Sequence, residues 1–322
     1  MAKILTGIQS TGTPHLGNIL GAIIPAIEMA NSSNEESYLF IANMHSLTQI
    51  KDQKTLNQNT FSTAAAWLSF GLDPNKSCFF RQSDVPEVTE LAWYLSCFFP
   101  YQRLKLAHSF KDKSNDLKDV NSGLFSYPML MSADILLYDA NIVPVGKDQL
   151  QHLEMTRDVA ARFNNLMGET FVIPEAKIQE ETKYIIGIDG EKMSKSKSNI
   201  IDIFLDDEKL RKQIMKIQTQ SLSVEEPKNP DHCNVFKLFK VISSEEEIGK
   251  LHSLYTKGGI GYGKAKEMLY ESILNRFSSN RESFFELTNN QDKVEQMLLD
   301  GAKKARKQAQ KVLKRVRSRV GF

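Results

Sequence analysis

Between Gly190 and Asn199 the chain sets three lysines (Lys192, Lys195, Lys197) and three serines (Ser194, Ser196, Ser198) around Met193, just past an Asp189-Gly190 turn signal. Ammonium groups and hydroxyls at that spacing suit a polyanion, above all a phosphate chain. A plainly solvated loop has the same composition, and both readings predict a mobile segment with almost nothing for a core. A second stretch offers phosphate chemistry of another kind. Gln9-Ser10-Thr11-Gly12-Thr13-Pro14 is a turn rich in hydroxyls and glycine. It joins a strand, Lys3 to Ile8, to a helix from His15 in which Leu16, Ile19, Leu20, Ile23, Ile24 and Ile27 recur at helical spacing. At such a helix start, free amides and the helix dipole favour an anion. Gly17, in the first turn, costs about 1 kcal/mol of helix propensity relative to Ala and lets a ligand approach the backbone.

A third group sits mid-chain. Tyr127, Met131, Asp134 and Tyr138, at i, i+4, i+7 and i+11, share one helix face. A carboxylate among apolar and aromatic neighbours needs a donor. That donor is either an Arg or cap nearby, or a ligand N–H or O–H at the bottom of an aromatic-sized pocket. Gly146-Lys147-Asp148-Gln149 opens a further helix, and a polar loop, Ser109 to Asn115, carries Lys111 and Lys113. His152 by itself reads as structural or exposed. Gly258 to Lys264 matches GxxxxGK, but Ala265 follows in place of a hydroxyl residue and a helix precedes it, so it reads as a helix–helix connection.

The elements that must carry these groups alternate. Strands are expected at Lys3–Ile8, Ser37–Ala42, Cys78–Phe80 and Ile142–Val145, and helices at Thr55–Phe70, Pro86–Phe98, Tyr127–Tyr138 and from Gln149 to about Asn164. That alternation predicts a parallel sheet in an α/β fold, with ligands beyond the carboxyl ends of the strands. Gln9, His45 and Gln82-Ser83 all follow strands and so fall on one rim. GxGxxG is absent after the first strand, so a dinucleotide site is not expected. Past Pro174 the pattern turns helical: Asp206–Ile217, Val235–Ile242, Glu245–Tyr255, Ala265–Phe277 and a last helix from about Lys293 to Val320. The 322 residues, 41% hydrophobic and 25% charged, describe a soluble globular chain without a membrane span or signal peptide. Cys78, Cys97 and Cys233 fit neither a disulfide framework nor a zinc or iron–sulfur site, which points to a reducing cytosol. Residues 301–322 hold nine Lys/Arg and no acid, so the other 300 residues carry −7 of the net +2. The basic face of the last helix is either solvated or in contact with nucleic acid phosphate.

Lys192-Met193-Ser194-Lys195-Ser196 is letter for letter the KMSKS signature of class I aminoacyl-tRNA synthetases, and His15-Leu16-Gly17-Asn18 resembles their HIGH signature. Gly7-Ile8-Gln9-Ser10-Thr11-Gly12, Met131 to Tyr138 and Val143 to Gln149 are similar to the bacterial tryptophanyl-tRNA synthetase family. The resemblance implies a Rossmann-like catalytic domain over 1–188, the KMSKS loop and a helical anticodon-binding domain over 189–285, and a basic C-terminal helix over 286–322. It implies that tryptophan is activated by ATP to an adenylate and transferred to tRNA(Trp) in a cytoplasmic homodimer, with Mg2+ arriving on the nucleotide. Tyrosine–tRNA ligation, or a noncatalytic paralogue that binds tRNA or nucleotide, are the alternatives. By the same resemblance Gln9, Ser10, Thr11, His15, Gly17, Asn18, Gly146 and Asp148 hold ATP. Lys192, Met193, Ser194, Lys195 and Ser196 close over its phosphates, and Lys113 also acts there. Asp134 accepts the indole N–H, Met131, Ile135 and Val145 pack the ring, and Tyr127, Gln149 and His45 complete the pocket. The match departs at Lys147, where many relatives carry an acid.

Overall fold

The computed structural model describes residues 2–32, 35–107, 120–146, 149–178 and 184–322. One parallel sheet runs in the order β3-β2-β1-β4-β5, with β1 Lys3–Ile8, β2 Glu36–Ile41, β3 Cys78–Arg81, β4 Ile142–Val145 and β5 Glu175–Ile178. After Glu36, β2 is buried at every position, the near-continuous apolar run of a strand covered on both faces. The strand order reverses between β1 and β4, where open α/β sheets form their ligand crevice. β1 pairs with β2 from Lys3↔Glu36 to Ile8↔Ile41, yet meets β4 only at Ile4↔Ile142. Beyond that pair the two strands part and leave room at their carboxyl ends. β5 was not expected from sequence. All four of its residues are exposed, so the edge strand carries no hydrophobic pattern.

Helix α1 follows the first turn as Leu16–Asn18, a π turn Ile19–Ile23 and a final segment Ile24–Ser32. The regular spacing of its isoleucines hides the π turn, a feature frequent at functional sites. Around the sheet lie α2 Asn43–Ser46, α3 Gln53–Ser69, α4 Glu87–Phe98, α5 Ser122–Leu136 and α6 Leu150–Met167. The helical region comprises α7 Asp207–Met215, α8 Asn234–Ile242, α9 Glu245–Lys257, α10 Tyr262–Asn289 and α11 Gln291–Val320. On one face of the sheet Leu16, Ile23 and Trp67 form a single core with Phe236, Phe277 and Leu298 of that region. On the other face Phe80, Leu91, Leu136 and Phe163 pack with Ala305, Val312 and Val316 of α11. α11 therefore passes from one core to the other over β3, the strand at the sheet edge. Gly301 makes that crossing possible: a Cβ there would lie 1.7 Å from the Phe79 carbonyl oxygen. Among the described residues no helix is long and apolar enough to cross a membrane.

Candidate active site

The gap between β1 and β4 holds a cavity of about 440 Å³, lined by Gly7, Ile8 and Gln9 on one side and by Val143, Val145 and Gly146 on the other. α5 closes its floor with Tyr127, Met131, Asp134 and Ile135; Ala22 of the π turn, His45 and Gln149 complete the wall. Most of this lining is apolar, and Asp134 is its deeply buried charge, 2% exposed. The carboxylate is not alone. His45 Nε2 donates to Oδ2 at 2.8 Å, and Gln82 Nε2 reaches Oδ1 at 2.8 Å and Oδ2 at 2.9 Å. Burial pushes the Asp134 carboxyl up, and the donors from His45 and Gln82 oppose that shift. The sequence left a choice between an internal partner and a ligand for Asp134. Both have a place, because a carboxylate has about four acceptor sites and these donors do not fill them. Across the cavity the Tyr127 hydroxyl lies 2.6 Å from His152 Nε2, and its ring meets His45 edge-on.

The two phosphate-suited stretches lie against each other. His15 caps α1: its Nδ1 accepts from the Asn18 amide at 3.2 Å, while Asn18 Oδ1 accepts from the His15 amide at 3.3 Å. With Nδ1 accepting, the neutral ring carries its proton on Nε2. Burial, and after it the Lys195 ammonium, push the His15 imidazole down to about 4, so it is neutral at physiological pH. The Gly17 amide points at Met193 Sδ, 3.3 Å away, and the Leu16 amide donates to the Ile201 carbonyl at 2.8 Å. Gly12 has φ +132°, and the Lys195 ammonium lies 3.1 Å from where a Cβ would stand. Burial pulls the Lys195 ammonium down to about 8 against an opposing pull from Asp202. A lysine so desolvated gains from an anion that partners its charge.

The Lys/Ser segment is more fixed than its composition predicts. Met193 is buried in the core with Leu16 and Ile201. Asn199, 2% exposed, ties the loop: its Oδ1 accepts from the Ser194 amide at 2.7 Å, and its Nδ2 donates to the Lys192 carbonyl at 3.1 Å and to Asp189 at 2.8 Å. A short bridge, Ile186↔Lys192, anchors the approach. The expectation of a segment with almost nothing for a core is therefore corrected: Met193 and Asn199 anchor one side, and Lys192, Ser196, Lys197 and Ser198 face solvent.

Of the residues singled out in the sequence, Gln9, His45, Tyr127, Met131, Asp134, Ile135, Val145, Gly146 and Gln149 line one cavity. His15, Gly17, Asn18, Met193 and Lys195 meet in the clamp beside it. Ser10 turns its hydroxyl inward, to Ser46 at 3.2 Å and Thr60 at 3.3 Å, and is fully buried, so it supports the turn from beneath and presents no exposed atom to a ligand. Thr11 is half-buried in the same turn, and the Ser194 and Ser196 hydroxyls bond each other at 2.9 Å. Lys113 and Asp148, like Lys147, lie outside the described residues. Sequence reasoning placed Gln82 on the rim without a role and gave none to Asn199. Both partner groups distant in the chain or buried under the loop, and neither spacing signals it.

Comparison with known proteins agrees with this geometry. The profile of the family described as tRNA synthetases class I (W and Y) matches residues 1–278. A tryptophan–tRNA ligase of Campylobacter jejuni is 46% identical over 320 residues, 99% of this chain and 100% of that relative. One from Neisseria meningitidis is 42% identical over 329 residues, covering 99% and 98%. The crystal structure of the C. jejuni tryptophanyl-tRNA synthetase complexed with ADP and tryptophan superposes with a TM-score of 0.95, covering 99% of this chain and 100% of that one at 46% identity. The Mycoplasma pneumoniae synthetase gives 0.81 at 29% identity, covering 100% and 98%. The chain belongs to the class I tRNA synthetases, in the family of the tryptophan and tyrosine enzymes.

Proposed function

We infer that the chain is a tryptophan–tRNA ligase, and the observation that carries the inference is a cavity with a buried acceptor at the β1/β4 switch point, whose Gln9 wall continues into the turn that Lys195 covers at Gly12. The indole enters the cavity with its ring against Met131, Ile135 and Val145 and its N–H on Asp134. Tyr127 and Gln149 face the α-amino end, and His45, bonded to Asp134, lines the same pocket. The tryptophan carboxylate then attacks the α-phosphorus of ATP; the bond from that phosphorus to the bridging oxygen breaks, and pyrophosphate leaves with the electron pair. No side chain needs to act as nucleophile. The chain's contribution is position, and neutralisation of the charge that grows on the departing phosphates.

Lys195 and Lys192 meet that charge, with Lys113 in the same role. Gly17, where no side chain keeps a ligand from the helix start, the Asn18 side chain, the proton on His15 Nε2 and the Gln9–Thr11 turn hold the nucleotide; Gly146 belongs to the same site and Asp148 orients the ribose. Magnesium enters on the phosphates as part of the substrate. In the second step a hydroxyl of the terminal ribose of tRNA(Trp) attacks the adenylate carbonyl and AMP departs.

The division at about 188 and 285 is part of the same proposal, with the helices of 189–285 reaching the anticodon. So is a cytoplasmic homodimer, which rests on the family alone. ATP–pyrophosphate exchange with each of the twenty amino acids tests the assignment. Exchange is expected with tryptophan; its absence there, or equal exchange with tyrosine, would sink the reading.

A further inference from the structure

Gln82 lies outside the cavity lining and belongs to no signature, yet it is 1% exposed and touches the one buried charge of the site. It opens the turn Gln82–Asp84 directly after β3. Its amide has a fixed sense. Oε1 accepts from the Met44 backbone amide at 3.0 Å, so the group turned toward Asp134 must be the NH2. That NH2 spans both carboxylate oxygens, at 2.8 and 2.9 Å, and sets the plane of the carboxylate.

The residues on either side are pinned. Arg81 forms a two-pronged pair with Glu295 of α11, at 2.9 and 2.7 Å, and also reaches Asp84. Ser83 and Asn43 exchange two hydrogen bonds, at 2.9 and 3.1 Å, that join this turn to the end of β2. A neutral donor held so firmly against a buried carboxylate does two things. It favours the ionised form, which burial opposes. It also keeps one oxygen aimed at the cavity.

We propose that Gln82 is a positioning residue for amino-acid selection: by holding Asp134 ionised and oriented, it makes the pocket require an N–H donor on the ligand ring. The proposal rests on the reading of Asp134 as the acceptor for the indole N–H. The titratable groups facing Asp134 are His45 from α2, Tyr138 in the turn just past α5, and Tyr127 with His152 across the cavity. All of them are common to wild type and variants, so the comparison isolates Gln82.

The test is pyrophosphate exchange from pH 5.5 to 8.5. Its two amino acids are tryptophan and the analogue in which sulfur replaces the indole N–H, and its enzymes are wild type, Gln82→Met and Gln82→Glu. Gln82→Met keeps the volume and removes the donor. It is expected to raise the tryptophan KM about tenfold, with the ATP KM and kcat within about twofold. The loss should deepen as pH falls, because Asp134 without its donor protonates at higher pH. Preference for tryptophan over the sulfur analogue should shrink by a similar factor. Gln82→Glu keeps the shape and, while the two carboxyls share one proton, can still donate. It should bind tryptophan near neutral pH and lose it as pH rises, the opposite trend.

A Gln82→Met enzyme with wild-type preference and pH profile would overturn the role of Gln82 and leave Asp134 untouched. So would an equal fall in kcat and in affinity for both substrates. If Gln82→Met fails to fold, a Gln82→Glu enzyme with a flat pH profile overturns it instead. Wild type that accepts the sulfur analogue as readily as tryptophan would overturn the Asp134 reading itself.

Discussion

Lys195 is the residue where burial and function pull in opposite directions. Its ammonium lies over Gly12 beside the neutral ring of His15, and desolvation brings it down to about 8. A group with a lowered value is charged below that pH and neutral above it. The role proposed for Lys195, neutralising charge on the departing pyrophosphate, is therefore available at pH 7 and fades as pH rises through about 8. For exchange assayed between pH 6.5 and 9.5, kcat/KM for ATP should fall on the alkaline side in wild type. In Lys195→Arg, whose guanidinium does not lose its proton, the profile should stay flat, with neutral-pH activity reduced about tenfold or more by the altered reach. An identical alkaline fall in both enzymes would place the titration on another group. Residue type alone left this site open, because a solvated loop has the same lysines and serines; it became legible only when that run and the His-x-Gly-Asn helix start were taken together as the two signatures of a known family. The donors that hold Asp134 did not. Gln82 and His45 lie 52 and 89 residues away, and a partner brought by sheet order leaves no local spacing to read.

At the scale of elements, alternation of buried strands and amphipathic helices made the sheet readable up to β4. β5 was hidden because its exposed residues, Glu175 to Ile178, make their contribution through backbone pairing with β4 rather than through side chains. The same cause concealed the anchoring of the Lys/Ser loop, where Met193 in the core and the Asn199 side chain do what a hydrophobic run would do elsewhere. The course of α11 was readable as a stripe, from Ala302 to Val316, but not as the cover of an open sheet edge. Gly301 is where that cover is closest. Cys78 Sγ donates to its carbonyl at 3.3 Å, and a methyl group would overlap the Phe79 carbonyl. Gly301→Ala must push the helix off β3, and overpacking of this kind costs about 3 kcal/mol. Urea unfolding should show that loss as an earlier midpoint. A midpoint equal to that of wild type would mean that α11 is not seated on the strand as described.

For the whole molecule the lesson concerns charge. The basic tail and acidic body suggested an anionic partner, and in the folded chain they are substantially each other's partners. Arg306 pairs with Glu87 at 2.9 Å, Arg315 with Asp139 and Arg317 with Glu90 at 2.5 Å each, all three acids lying in the α/β layer. Their effect on the acids is visible: hydrogen bonds from Arg306 hold the Glu87 carboxyl below its usual value against the burial that would raise it, and Arg317 does the same to Glu90. Because Glu87 and Glu90 are lowered, their contribution to stability is present above the usual carboxylate range and is lost as pH falls through it. The arginines thus act as the strap that binds α11 across the sheet. Lys307, Lys311 and Lys314 on the same helix are exposed and left for solvent or a polyanion. Replacing Arg306, Arg315 and Arg317 together by Gln should lower Tm by about 3–5 °C at pH 7, and by less as pH falls through the carboxylate range and Glu87 and Glu90 take up protons. The salt dependence of tRNA binding should keep its slope, since that slope counts cations that meet phosphate and these three are already engaged. A flatter slope with an unchanged Tm would reverse the assignment and make the arginine face, rather than the lysines, the part of the helix that reaches nucleic acid.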